Sequence, residues 1–197
     1  MRSAIAARWA ARLGYADVRR YPAGWQGWLA AHPEALPAGQ RPRMPQPGQA
    51  FPGDLPAPFL PEDVADLGSD WSKAGFLVLE LHSSLCSCCR EELPVYNALR
   101  KRFAADPDLR EHLRMAGLAA FDTRREVLRT RREGQVDYPL LPDERGEVFA
   151  ALGRPELPVL MLLRRMQDGY RIVLIHQGRL GKPGLFFDEA RRAVLGP

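Results

Sequence analysis

All three cysteines of the 197-residue chain fall within four positions, Cys86-Ser87-Cys88-Cys89. An apolar run, Phe76-Leu77-Val78-Leu79, leads into them. Arg90-Glu91-Glu92-Leu93-Pro94 and an amphipathic segment, Val95-Tyr96-Asn97-Ala98-Leu99, follow. The pattern reads as strand, turn and helix, with a Cys-x-x-Cys pair at the turn. A thiol there sits at the start of the helix, where unpaired N–H groups and the macrodipole favour the thiolate. The thiolate is the nucleophile of disulfide exchange, so this placement makes a weak group reactive at neutral pH.

The rest of the chain sets the frame for that turn. A hydrophobic content of 46% with 26% charged residues is that of a soluble globular protein, large enough for one good core. No stretch approaches the roughly 18 apolar residues of a membrane span. The N-terminus lacks a basic start followed by an apolar run, so no signal peptide and a cytoplasmic location are expected. Three clustered cysteines do not make a disulfide framework, and suit redox chemistry or metal binding better. The net charge of +4 is carried mostly by arginine, with Lys73, Lys101 and Lys182 as the only lysines. The densest basic stretch, Arg124 to Arg132, falls in an expected helix and reads as a solvated face rather than a nucleic-acid patch.

Three zones are expected. Residues 1–32 are Ala-rich and helical in period. Residues 33–61 hold nine of the eighteen prolines and read as an extended linker with no packed core. Residues 62–197 read as one α/β unit with apolar strands at 76–82, 114–121, 158–164 and 172–176, mostly separated by helices. That alternation implies a sheet with parallel pairs, covered on both faces. The turn Gln167-Asp168-Gly169 joins the last two strands as an antiparallel hairpin, and a helix from Phe186 to Leu195 closes one face.

Several residues surround the cysteine turn in this reading. Glu80 lies six residues before Cys86, and alternation puts it on one strand face with His82, toward the thiols. A buried carboxylate there can take the proton of the second cysteine during exchange. Pro94, five residues after Cys89, is expected to kink the long helix behind the motif. Leu157-Pro158 heads the apolar run Val159-Leu160-Met161-Leu162-Leu163, a position where proline often stands for a cis peptide bond.

Together these residues resemble the thioredoxin superfamily, in particular the redoxin group of TlpA-like and alkyl-hydroperoxide-reductase-like proteins. The family's Cys-x-x-Cys-x-x-x-x-Pro pattern and its cis-proline match Cys86, Cys89, Pro94 and Pro158, and Glu80 matches the buried acid of thioredoxin. The segment Tyr138 to Gly146 is similar to the stretch that precedes the family's helix before the cis-proline. The resemblance covers about residues 50–197. It implies a thioredoxin-like α/β fold, a central mixed sheet with helices on both faces. It also implies a thiol–disulfide oxidoreductase in which Cys86 attacks a substrate disulfide and Cys89 resolves the mixed disulfide. Glu80 then assists proton transfer, and Pro158 shapes the substrate groove. No organic cofactor is implied. The partners would be a disulfide-containing protein or a low-molecular-weight thiol, and an electron-donating reductase, with no nucleic acid and no membrane.

The chain departs from the family in carrying Leu85 where a tryptophan usually precedes the first cysteine, and in Cys88, a third thiol inside the motif. Cys86–Cys89 is the expected pair, because a link through Cys88 would close a small, strained ring. Three other readings compete: inert buried cysteines, a metal site using the three thiolates with His82, and a peroxidase. Structural zinc sites usually draw on two separated cysteine pairs, and this chain has no second pair. Peroxiredoxins place Pro and Thr seven and three residues before the reactive cysteine, where this chain has Leu79 and Ser83. His32, His112 and His176 carry no motif.

The N-terminal zone resembles the tail of a rhodanese domain through Arg2-Ser3-Ala4-Ile5-Ala6-Ala7, Leu13-Gly14-Tyr15-Ala16-Asp17-Val18 and the Gly24-Trp25-Gln26-Gly27-Trp28 region. That family carries sulfur on a cysteine that would lie five residues before Arg2. The resemblance therefore implies a fragment without its nucleophile and without sulfurtransferase activity.

Overall fold

The protein is described here by a computed structural model covering residues 44–67 and 74–196. The rhodanese-like segment over 1–32 and the first part of the expected linker lie outside the described residues.

In chain order the elements are α1 (Pro61–Leu67), β1 (Phe76–His82), α2 (Ser87–Ala105), β2 (Leu113–Ala120), α3 (Arg124–Glu133), β3 (Leu140–Asp143), α4 (Glu147–Ala151), β4 (Val159–Met166), β5 (Gly169–Gln177) and α5 (Pro183–Leu195). The strands form one sheet in the order β3-β2-β1-β4-β5. β1 pairs in parallel with β2, and β2 with β3, while β4 runs antiparallel to both β1 and β5. The sheet is mixed, with β1, the strand that leads into the cysteine turn, at its centre.

β1 opens as an apolar run, Phe76-Leu77-Val78-Leu79, because both of its faces are covered. Leu77, Leu79 and Leu81 pack on one side with Leu67 of α1, Val148 of α4 and Phe51. Val78 faces the other side, with Leu93, Tyr96, Leu99 and Phe103 of α2 and Phe186, Phe187 and Ala190 of α5. Period-2 alternation therefore puts Glu80 and His82 on the α2 side. The hairpin between β4 and β5 forms at Gln167-Asp168, and Gly169 leaves it with φ +114°, a conformation that side chains disfavour.

The structure differs from the sequence reading in several places. β3 was not among the expected strands. It has four residues, one of them Pro142, yet Leu140 and Leu141 are fully buried and it pairs with β2. α5 begins three residues early, at Pro183, because a proline's fixed φ suits the first helical position. The described part of the Pro-rich stretch, residues 44–61, is docked rather than free. The Gly48 and Phe51 N–H groups donate to the Ile172 and Tyr170 carbonyls (both 2.8 Å), and Ile172 N–H donates to Gln49 O (2.9 Å). Phe51 is 6% exposed in the core beneath β5. Proline composition predicts extended backbone, but extended backbone beside an open sheet edge pairs with it, and one aromatic residue anchors it.

The basic stretch forms α3 and is only partly a solvated face. Arg131 makes two 2.7 Å hydrogen bonds to the buried Asp63 carboxylate, and Arg124 lies over the Phe59 ring. Among the described residues no helix is long and apolar enough to cross a membrane.

Candidate active site

Cys86 is the N-cap of α2. Its backbone is extended (φ −91°, ψ 106°), and its sulfur accepts the Cys89 N–H at 3.2 Å. The sulfur thus takes the place that a Ser or Asp oxygen fills at other helix starts. It meets an orphan amide at the positive end of a 19-residue helix. Cys86 is disulfide-bonded to Cys89 across a Cα–Cα distance of 5.3 Å. The two ends of the pair differ in access: Cys86 is half-buried, and Cys89 is 1% exposed. Cys88 is free and half-buried, with its sulfur 3.1 Å from Cys86 Sγ and 3.7 Å from the Leu157 carbonyl oxygen, to which it donates. α2 runs without a break through Pro94, whose ring is exposed and which has no N–H for the Arg90 carbonyl.

The Leu157-Pro158 peptide is cis. Pro158 is buried at the head of β4, and the Leu157 contact with Cys88 sets this loop against the cysteine turn. The turn itself is pinned from the loop that follows β2. Asp122 Oδ2 accepts the Ser84 N–H at 2.8 Å, and its Oδ1 accepts the Ser84 hydroxyl at 2.6 Å. Burial pushes the Asp122 carboxyl above its ordinary value, while the two Ser84 bonds and His82 pull it back. Leu85, between Ser84 and Cys86, is 42% exposed and gives the rim an apolar edge.

The strand that leads into the cysteine turn carries a buried polar cluster. Glu80 Oε2 bonds His82 Nδ1 at 3.0 Å and accepts the Tyr138 hydroxyl at 3.3 Å. Glu80 is 0% and His82 1% exposed. Burial alone would push the His82 imidazole down, but the Glu80 charge and hydrogen bond, with Asp122, hold it above its ordinary value. Burial and then the Glu80 charge raise both the Tyr138 and Tyr96 phenols, so both stay protonated. Glu80 Oε1, His82 Nε2 and the Tyr96 hydroxyl have no hydrogen-bond partner among the described residues.

Gly117 makes the room. It is the β2 register partner of Glu80, and a Cβ there would come within 2.6 Å of Glu80 Oε2 and also meet the Leu140 side chain. Gly117→Ala is expected to cost about 1–3 kcal/mol by overpacking. Urea unfolding checks this, with a lower midpoint at unchanged slope.

The sequence placed Cys86, Cys89, Cys88, Glu80, His82 and Pro158 around one turn, and the structure groups the thiols with the Pro158 loop and Glu80 with His82. It did not supply Asp122, Tyr138, Tyr96 or Gly117. A glycine inside the apolar run of β2 was the readable hint, because it marks close approach. The three sulfurs lie within 4.8 Å of one another. His82, the fourth donor of the competing metal reading, bonds Glu80 through Nδ1 and does not join them. Ser83, aligned with the peroxidase threonine, accepts the Leu85 N–H at 3.4 Å, and Leu79 is fully buried.

No family model matches the chain, and no curated protein matches it by sequence. Solved structures do. The thioredoxin domain of a thiol-disulfide oxidoreductase from Bacteroides vulgatus superposes with a TM-score of 0.55 at 13% identity, over 76% of this chain and 99% of that one. A secreted thiol-disulfide isomerase from Corynebacterium glutamicum superposes with a TM-score of 0.51 at 19% identity, over 64% of this chain and 74% of that one. At these identities the likeness concerns the fold. The chain has the thioredoxin-like α/β fold, a five-stranded mixed sheet with helices on both faces.

Proposed function

We propose that this chain is a thiol–disulfide oxidoreductase that works through Cys86 and Cys89. One observation carries the reading: a Cys86–Cys89 disulfide at the head of α2, with its first sulfur half-buried and capping the helix and its second sulfur buried. In the reduced form Cys86 is the accessible nucleophile, with an N–H donor and a helix dipole to stabilise its thiolate. It attacks a substrate disulfide, and one substrate thiolate leaves. Cys89 Sγ then attacks Cys86 Sγ, releases the other substrate thiolate and leaves the Cys86–Cys89 bond. In this reading Glu80, whose carboxylate bonds His82 and Tyr138, assists proton transfer at the resolving step. The Pro158 loop and Leu85 border the groove where the substrate lies. Substrates of this reading are disulfide-bearing proteins or small disulfides, with electrons from a reductase or a low-molecular-weight thiol.

Two assays on one sample test the proposal. The protein should accelerate reduction of insulin disulfides by a small dithiol. Hydrogen peroxide should not disappear faster than in a cysteine-free control. Peroxide consumption without disulfide reduction would replace the reading with a peroxidase.

A further inference from the structure

Cys88 has no part in a two-cysteine cycle, yet its sulfur lies 3.1 Å from Cys86 Sγ. Residues two apart do not face each other on a helix. They meet here because Cys86 is the extended N-cap, outside the helix, while Cys88 is the second helical residue. The separation is within the roughly 3–3.5 Å of a near-attack arrangement. Cys88 is half-buried where Cys89 is 1% exposed, and its contact with the Leu157 carbonyl holds its sulfur on the side of the Pro158 loop.

We infer that Cys88 is a second resolving thiol, releasing substrate from Cys86 through a transient Cys86–Cys88 disulfide that Cys89 then takes over. This rests on the oxidoreductase reading and adds a step to it. When Cys86 has attacked a disulfide, it carries half of the substrate as a mixed disulfide. Cys88 Sγ attacks Cys86 Sγ, the Cys86–Cys88 bond forms, and the bond from Cys86 to the substrate sulfur breaks. The departing substrate thiolate takes the Cys88 proton. Cys89 next attacks Cys86 Sγ, forms Cys86–Cys89 and returns Cys88 to the thiol form with the Cys89 proton. Two protein thiols end as one disulfide, one substrate disulfide ends as two thiols, and no outside oxidant enters. The order follows from access and ring size. The half-buried thiol reaches Cys86 while substrate still covers the site. A ring with one intervening residue is strained, so the bond passes on to Cys89.

The test uses the full chain, pre-reduced, with a substoichiometric aromatic disulfide reagent that gives a coloured thiolate. Cys89→Ser should release about two coloured thiolates per reagent, and peptide mapping should find the Cys86–Cys88 link. Its mixed disulfide should decay about tenfold faster, or more, than in the double variant Cys88→Ser/Cys89→Ser, which keeps the adduct. Cys89→Ala should repeat the result without a buried hydroxyl. A mixed disulfide that persists in Cys89→Ser as long as in the double variant overturns the inference. If the wild type and Cys88→Ser both stop at one thiolate, the Cys86–Cys89 reading itself is wrong and this step falls with it.

Discussion

Cys86→Ser is expected to slow disulfide reduction by about a thousandfold or more, measured as the rate at which pre-reduced protein opens a protein disulfide. Three thiols crowd one turn, so exposure alone does not choose the nucleophile: Cys86 and Cys88 are both half-buried. Hydrogen bonding separates them. Cys86 Sγ accepts the Cys89 N–H at 3.2 Å, a bond that strengthens as the sulfur becomes negative. Cys88 Sγ faces the Leu157 carbonyl, a partner only an S–H can use. Cys89 is closed off in the core. Under the proposed function the attacking role falls to Cys86, and its hydroxyl counterpart is a far poorer nucleophile at neutral pH. A Cys86→Ser protein that keeps more than about a tenth of the rate would move the attack to Cys88.

His82→Leu carries the second large effect, on stability. The Glu80 carboxylate is fully buried, and its firmest partner is His82 Nδ1, with the Tyr138 hydroxyl further away at 3.3 Å. Leucine fills the site but leaves the carboxylate with one hydroxyl and one unpaired oxygen. Removing one member of a buried pair costs about 3–5 kcal/mol, or roughly 10 °C in Tm for a chain of this size. The pH profile gives a signature that loss of packing alone would not. The folded His82 pKa is raised above the ordinary 6.5. Between that value and the folded one, the native chain binds more protons than the unfolded chain. Its stabilising contribution is thus complete below pH 6.5 and is lost as pH rises through the folded value. Urea midpoints should fall over that window in the wild type and stay flat there in His82→Leu. Parallel profiles would show that His82 holds no extra proton in the fold.

Much of this was legible because it is local. The β1–turn–α2 unit follows from one apolar run, one cysteine cluster and one amphipathic helix, and strict alternation was enough to put Glu80 and His82 on one face. What supports those residues is not local. Tyr138 reaches Glu80 across 58 positions and Asp122 reaches Ser84 across 38, and nothing in the intervening sequence marks the pairing. β3 escaped because Pro142 masks a four-residue strand whose burial comes from its neighbours rather than from its own pattern. Residues 44–61 misled for the converse reason. Nine prolines over 33–61 set the local composition, and the buried Phe51 that anchors the stretch to the core is invisible among them.

The central claim is that Cys86 and Cys89 are the two ends of one exchange centre. Its most direct test is a single-turnover reaction of the pre-reduced wild-type chain with a peptide disulfide, quenched with acid and mapped by mass spectrometry. Two peptide thiols should be released for each Cys86–Cys89 bond formed, with Cys88 recovered as the free thiol. A reduced chain that leaves the peptide intact, or an oxidised product whose stable link omits Cys86 or Cys89, would contradict it.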